Sequence, residues 1–291
     1  MPAIGQPPRR PAGPVTGAPA PGTAAYLRDI GVPDLPPATS PFDPGYDPGT
    51  LEGHLQQSAH LMANLKVSMA CWMVADEAVS RRKLAAARGH GVATVAGGGP
   101  FEVAVAQGRL PAYLDLCACM GFDRIEAGQG FTALPLDPPA VVAMAQERGL
   151  AVQFELGSKH GGAFTAAAVE ALVADGRRWL DAGAVELVIE ARESARGVGL
   201  FDEAGRFDRR LADRLADAFV LDLVAFEAPT KASQFALLDH FGRAVRLCNV
   251  RLEELLRVEI YRRGLHADAF AKSRLRPAPA RPALHPAIRG G

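Results

Sequence analysis

The chain carries little that would tie it to a charged polymer, an oxidising compartment or a bilayer. Lysine plus arginine and aspartate plus glutamate stand at 32 each. No net field therefore draws it to nucleic acid or to an anionic lipid surface, and a small molecule is the expected partner. Four cysteines occur, Cys71, Cys117, Cys119 and Cys248, all in apolar, regular-looking segments. Such placement suits buried free thiols in a reducing compartment. Cys117 and Cys119 are too close for a zinc knuckle, and no second pair accompanies them. No run approaches the ~20 apolar residues of a membrane span, and the proline-rich start lacks the apolar core of a signal peptide. A cytoplasmic protein with no membrane contact is expected.

What the chain does have is an ordered middle between two proline-rich ends. Residues 1–40 are dense in proline, glycine and alanine, and 272–291 repeat that style with arginine. Both are expected to be disordered tails, because such segments cannot bury enough apolar surface to fold. Between them, over 41–271, strand-like runs occur near Leu61–Val67, Val92–Ala96, Asp123–Glu126, Val152–Glu155, Val185–Glu190, Leu223–Glu227 and Val245–Asn249. Helical runs separate them. Pro139–Arg148 begins with a proline in its first turn and stops at Gly149. Ala163–Ala182 and Leu252–Arg263 repeat apolar residues at spacings of three and four. Alternating strands and helices imply a parallel sheet, and 291 residues suit a single α/β domain, a (β/α)8 TIM barrel, with tails. Closure needs an eighth strand, for which the candidate is the proline-marked stretch before Gly49.

Glu126, Glu155, Glu190 and Glu227 each follow a short apolar run and recur at about the length of one βα unit. In a parallel barrel the ends of successive strands converge on one mouth, so this spacing predicts a ring of carboxylates there. Buried glutamates are costly to desolvate unless a divalent cation or lysines meet them. The same strand ends carry Lys66, the turn Gly97-Gly98-Gly99, Lys159 beside His160, Arg192, Glu193, Lys231 and Asn249. Hard carboxylate oxygens without paired His or Cys point to Mg2+, bound by Glu126, Glu155, Glu190 and Glu227 directly or through its waters. Arg192, Lys231 and Asn249 suit a small anionic substrate, and the amides of Gly97 and Gly98 suit an oxyanion.

Specific blocks carry a resemblance. Ile189-Glu-Ala-Arg-Glu-Ser194, Phe226-Glu-Ala-Pro-Thr-Lys231 with Gln234, Gly121-Phe-Asp-Arg-Ile-Glu126, Glu155-Leu-Gly-Ser-Lys159 and Gly97–Glu102 resemble the phosphosulfolactate synthase family, as do Gly242–Val250 and Leu265–Asp268. The resemblance runs in register over about residues 60–270. It implies a Mg2+-dependent carbon–sulfur lyase that adds sulfite to phosphoenolpyruvate on a coenzyme M-type, sulfonate-forming route, and it suggests a homo-oligomer. Lys159, Lys66 and Glu193 become the candidates for catalysis, with Lys159 as the acid that protonates C2. Crowding by other cations would lower the lysine pKa toward neutrality, and nearby carboxylates would oppose that. The chain departs from the family at Ser68–Cys71, Gly99, Gln129 (an amide for an acid), Ser158 and Cys248. These changes sit at the mouth, where they alter substrate contacts more than the barrel. The expected activity is the family reaction or a close variant with another nucleophile or substrate. The alternative is a non-catalytic, stress-associated or partner-binding barrel of the same family.

Overall fold

The computed structural model describes residues 22–278, apart from 133 and 273. It divides into two compact units, one of residues 35–276 and a smaller one that takes in both chain ends. The larger unit is a closed barrel of eight parallel strands in sequential order. These are β1 Thr39–Asp43, β2 Leu65–Val67, β3 Thr94–Ala96, β4 Arg124–Gly128, β5 Ala151–Leu156, β6 Glu186–Ile189, β7 Val224–Glu227 and β8 Arg246–Arg251. The smaller unit holds helix Thr23–Asp29.

Two boundaries differ from expectation. Residues 22–40, read from composition as part of a disordered tail, include that helix and the first two residues of β1. Likewise Leu275, placed in the C-terminal tail, is buried, and its carbonyl accepts a hydrogen bond from Arg243. Residues 1–21 and 279–291 lie outside the described residues.

The helices follow local chemistry. Pro138–Gln146 ends where Gly149 turns left-handed at φ +73° and the Leu150 amide closes back on the Ala145 carbonyl. The helix expected from Ala163 starts at Ala166, because the Thr165 hydroxyl caps the Ala168 amide and Ala163 bridges Gly199. The last long helix, Leu255–Arg262, follows a 3-10 turn, Leu252–Glu254. Among the described residues no helix is long and apolar enough to cross a membrane.

The main core lies between the strands and the surrounding helices. Phe101, Leu114, Ile125, Phe154, Trp179, Leu187 and Phe226 are all at most 2 % exposed there, and Phe154 stacks on Trp179 at 4.1 Å. The opposite faces of the same strands are different: the apolar cluster there is only Val188, Ala225 and Cys248. Much of the rest of the interior is polar or charged. Near the starts of the strands Glu186 is gripped by Arg246 at 2.7 Å and Arg124 at 3.6 Å, and toward their ends stand the lysines and glutamates of the mouth. A barrel whose interior is charged cannot draw its stability from the layers of branched side chains usual in this fold, so the outer core carries it.

β1 is the proline-marked strand expected before Gly49, and it closes the barrel against β8 with an irregularity. Ser40 pairs with Cys248 but Pro41 pairs with Val250, so Asn249 bulges out of register. Proline has no N–H to give to a ladder, which is why such a strand tolerates a shift at that point. Arg262, fully buried, staples the seam. Its guanidinium donates to the carbonyls of Arg243 (2.6 Å), Val245 (2.7 Å) and Ala38 (3.4 Å), to the Thr39 hydroxyl (3.0 Å) and to Glu259 (3.0 Å).

Of the four free cysteines, Cys117 and Cys248 are buried as expected, and Cys71 is half-buried. Cys119 is exposed, its sulfur 3.4 Å from the Arg81 guanidinium. In a helix two residues span about 200°, so Cys117 and Cys119 cannot share a buried face.

Candidate active site

Successive strand ends do bring the predicted carboxylates together. Glu126 in β4, Glu155 in β5, Glu190 one residue past β6 and Glu227 closing β7 are each at most 4 % exposed. Two lysines reach into them. Lys66 of β2 places Nζ 2.6 Å from Glu126 and 3.9 Å from Glu227, while Lys159 places Nζ 2.7 Å from Glu155 and 2.8 Å from Glu190. Glu126 also accepts from the Gly98 amide (3.1 Å) and from Gln153 (2.9 Å). Glu227 accepts from the amides of Ala191 (2.8 Å) and Arg192 (2.9 Å) and from the Asn249 side chain. Glu190 accepts from the Arg192 amide at 2.6 Å.

Backbone geometry serves these contacts. Arg192 and Asn249 both sit at left-handed φ, +54° and +51°. For Arg192 this turns one amide toward two carboxylates, while its exposed guanidinium meets the Lys159 carbonyl at 3.1 Å. For Asn249, the bulge turns the side chain toward Glu227. Strain of this kind persists where the surroundings hold it, and such places are often functional.

Burial and neighbouring charge split the ionisation of the group. Burial opposes the charge on Lys66, but the carboxylates of Glu126, Glu227 and Glu155 outweigh it and hold the ammonium above its ordinary range. Lys159 is raised in the same way, burial being overcome by Glu155 and Glu190. The lowered lysine pKa that crowding by cations would give is thus reversed: its neighbours are anions. Burial and the nearby Glu190 push Glu155 up to about 8. Glu190 goes the other way, to about 2, because Lys159 and hydrogen bonds overcome its burial. Glu227 is raised well above the carboxylate range by burial and by Glu190. Carboxyls held high therefore stand beside one held low, the separation that acid–base chemistry uses.

The remaining expected residues have other partners or lie exposed. The Gly97 and Gly98 amides, expected to serve an oxyanion, are given to the Val67 carbonyl (3.1 Å) and to Glu126. Lys231 opens helix Lys231–Phe241 and faces Asp268 at 4.0 Å and the Phe235 ring at 5.1 Å. Glu193 is exposed, as is His160. Gln153 and Glu102 were not among the predicted residues. Gln153 lies two residues before Glu155, hence on the same strand face, a signal the sequence does contain. Buried Glu102 holds the loop over Lys159 through hydrogen bonds to the amides of Gly130, Phe131 and Thr132.

The donor set suits a hard cation in chemistry more than in arrangement. The four buried glutamates offer hard carboxylate oxygens. Yet among the described residues no group of three or more His, Cys, Asp or Glu side chains is arranged to hold a metal. That combination fits an ion that completes its shell with water and substrate oxygens. A hollow of about 420 Å³ reaches Glu155 from the side, lined also by Gln129, Ser158, Phe164 and Thr165.

Residues 37–268 match the model of the family described as (2R)-phospho-3-sulfolactate synthase (ComA). The phosphosulfolactate synthase of Methanocaldococcus jannaschii is 31 % identical over 79 % of this chain and 92 % of its own length. That of Methanothermobacter thermautotrophicus is 26 % identical over 81 % and 92 %, and that of Bacillus subtilis 27 % over 65 % and 75 %. Among solved structures the YdjI aldolase of Escherichia coli superposes with a TM-score of 0.50 at 11 % identity, covering 77 % of this chain and 78 % of that one, a likeness of fold alone. By its matched residues and its closed eight-stranded barrel, this chain belongs to the phosphosulfolactate synthase family.

Proposed function

We propose that this chain catalyses the Mg2+-dependent addition of sulfite to phosphoenolpyruvate, giving phosphosulfolactate, or a close variant of that reaction. The observation that carries the reading is the pair of lysines held charged among four buried glutamates at the barrel mouth. Sulfite attacks C3 and forms the C–S bond. The C2–C3 π pair moves into the carboxylate as an enediolate, C2 then takes a proton, and the phosphate stays attached. The Lys159 ammonium is the proton donor, and the Glu155 carboxyl, protonated up to about pH 8, resupplies it. Lys66 offers fixed positive charge to the developing enediolate. The exposed Arg192 guanidinium grips the phosphate. Glu126 and Glu190 are the residues that would hold Mg2+, with water and substrate oxygens completing its shell, and when bound it supplies Lewis-acid stabilisation of the enediolate.

A shifted nucleophile or substrate is favoured by one observation. Gln129, where the family resemblance leads one to expect an acid, turns its amide onto the Leu134 carbonyl of its own loop. The loop is latched there by a neutral group.

Phosphorus NMR of phosphoenolpyruvate with the protein and Mg2+, with and without sulfite, tests the reading. Conversion that needs both sulfite and Lys159 supports the family reaction. Binding without sulfite-dependent conversion supports the variant, and no binding removes the substrate assignment.

A further inference from the structure

We propose that Glu102 is a positioning residue for Lys159, acting through the loop 130–132. The proposal rests on the reading above only for the part Lys159 plays in turnover; the contacts do not depend on the substrate. Glu102 lies in helix Gly98–Ala106 and is 1 % exposed. Its carboxylate accepts four hydrogen bonds, from the amides of Gly130 (3.0 Å), Phe131 (3.0 Å) and Thr132 (2.9 Å) and from the Thr132 hydroxyl (2.9 Å). Bonds to an ionised acceptor are roughly twice as strong as neutral ones, and a buried carboxylate that lost them would be strongly disfavoured. The loop is therefore fixed from below.

From above, the same loop fixes the lysine. The Gly130 carbonyl accepts from the Lys159 amide at 2.8 Å and from the Ser158 hydroxyl at 3.3 Å. Gly130 also lies flat against the side chain, since a Cβ there would come 3.0 Å from both Cγ and Cε of Lys159 and 3.1 Å from a Glu155 oxygen. A lysine stem has several rotatable bonds whose freedom opposes any single placement. The glycine wall removes that freedom on one side, and Glu102 keeps the wall in place. Glu102 and Gly98 share one helix, so the element that presents an amide to Glu126, the partner of Lys66, also braces the second lysine.

The test is nitrogen-15 NMR of the lysine ammonium groups in the full chain, with the Lys159 signal assigned by its loss in Lys159→Gln. Exchange of the Lys159 ammonium protons with water should quicken roughly tenfold in Glu102→Ala. In Thr132→Val, which removes one of the four bonds and little volume, the increase should be about two- to threefold, with Lys66 unchanged in both. With phosphoenolpyruvate, sulfite and Mg2+, kcat should fall in the same order while KM stays near the wild-type value. Lys159 exchange within twofold of wild type in Glu102→Ala overturns the proposal, as does an equal change at Lys66, which would mean general loosening. If Glu102→Ala does not fold, an unchanged Lys159 signal in Thr132→Val overturns it. Should the wild type show no turnover, the proposed reaction fails, and the ammonium exchange still decides the role of Glu102.

Discussion

Replacing Lys66 by methionine separates the two things its ammonium does, neutralising buried carboxylates and serving a ligand. Methionine fills similar space, so the change is mainly electrostatic. The substitution strips Glu126 of a cation at 2.6 Å and Glu227 of one at 3.9 Å, both carboxylates being at most 2 % exposed. Removing one partner of a buried pair costs about 3–5 kcal/mol, because a charge is left without compensation. Protonation of the orphaned glutamates relieves that cost. Glu227, already held well above the carboxylate range, goes higher without the ammonium, and such a group does not oppose folding below about pH 4 and opposes it more as pH climbs through the raised pKa. The loss should therefore be about 3–5 kcal/mol at pH 8 and about 1–2 kcal/mol at pH 5, measured by urea unfolding of wild type and variant. A loss below about 1 kcal/mol at pH 8, or one that does not change with pH, would refute the view that Lys66 holds these carboxylates.

Glu155→Gln removes a carboxyl whose pKa is raised to about 8 by burial and Glu190. The raised value means that its contribution to stability is present below about pH 4.5 and lost as pH rises through about 8, so the variant should gain on wild type above that value, which melting at pH 6 and 9 would show. Arg192→Ala keeps the amide that bridges Glu190 and Glu227, so stability should change by under about 1 kcal/mol in thermal unfolding. Phosphoenolpyruvate affinity should fall at least about tenfold with the guanidinium gone, as fluorescence titration can report. Arg262→Lys should destabilise by about 2–4 kcal/mol in urea unfolding, since an ammonium cannot reach the five acceptors of the fork.

Most of the barrel was legible because a parallel strand buried on both faces reads as a short apolar run, and seven of these end at the residues observed or close to them. β1 was the exception: Thr39-Ser-Pro-Phe-Asp43 has neither apolar run nor alternation, and its place comes from pairing with strands on both sides. The four glutamates were legible for the same reason as the strands that end in them. Where a backbone N–H points was not. The Gly97 and Gly98 amides find acceptors in Val67 and Glu126, residues far away in sequence. Lys231 is part of the motif after Glu227, and there it opens a helix and faces Asp268. Glu102 escaped notice because a carboxylate that binds backbone leaves no charged partner to find.

The out-of-register step at the seam ties closure to chemistry. Asn249 leaves the ladder where Pro41 has no hydrogen to offer, and leaving the ladder is what aims its amide at Glu227. Regular pairing there, with a β-branched residue at 41 and position 249 deleted, would give a straighter seam and a mouth lacking that donor. The two strands farthest apart in the chain thus form one joint, and its irregularity supplies the mouth with a hydrogen-bond donor.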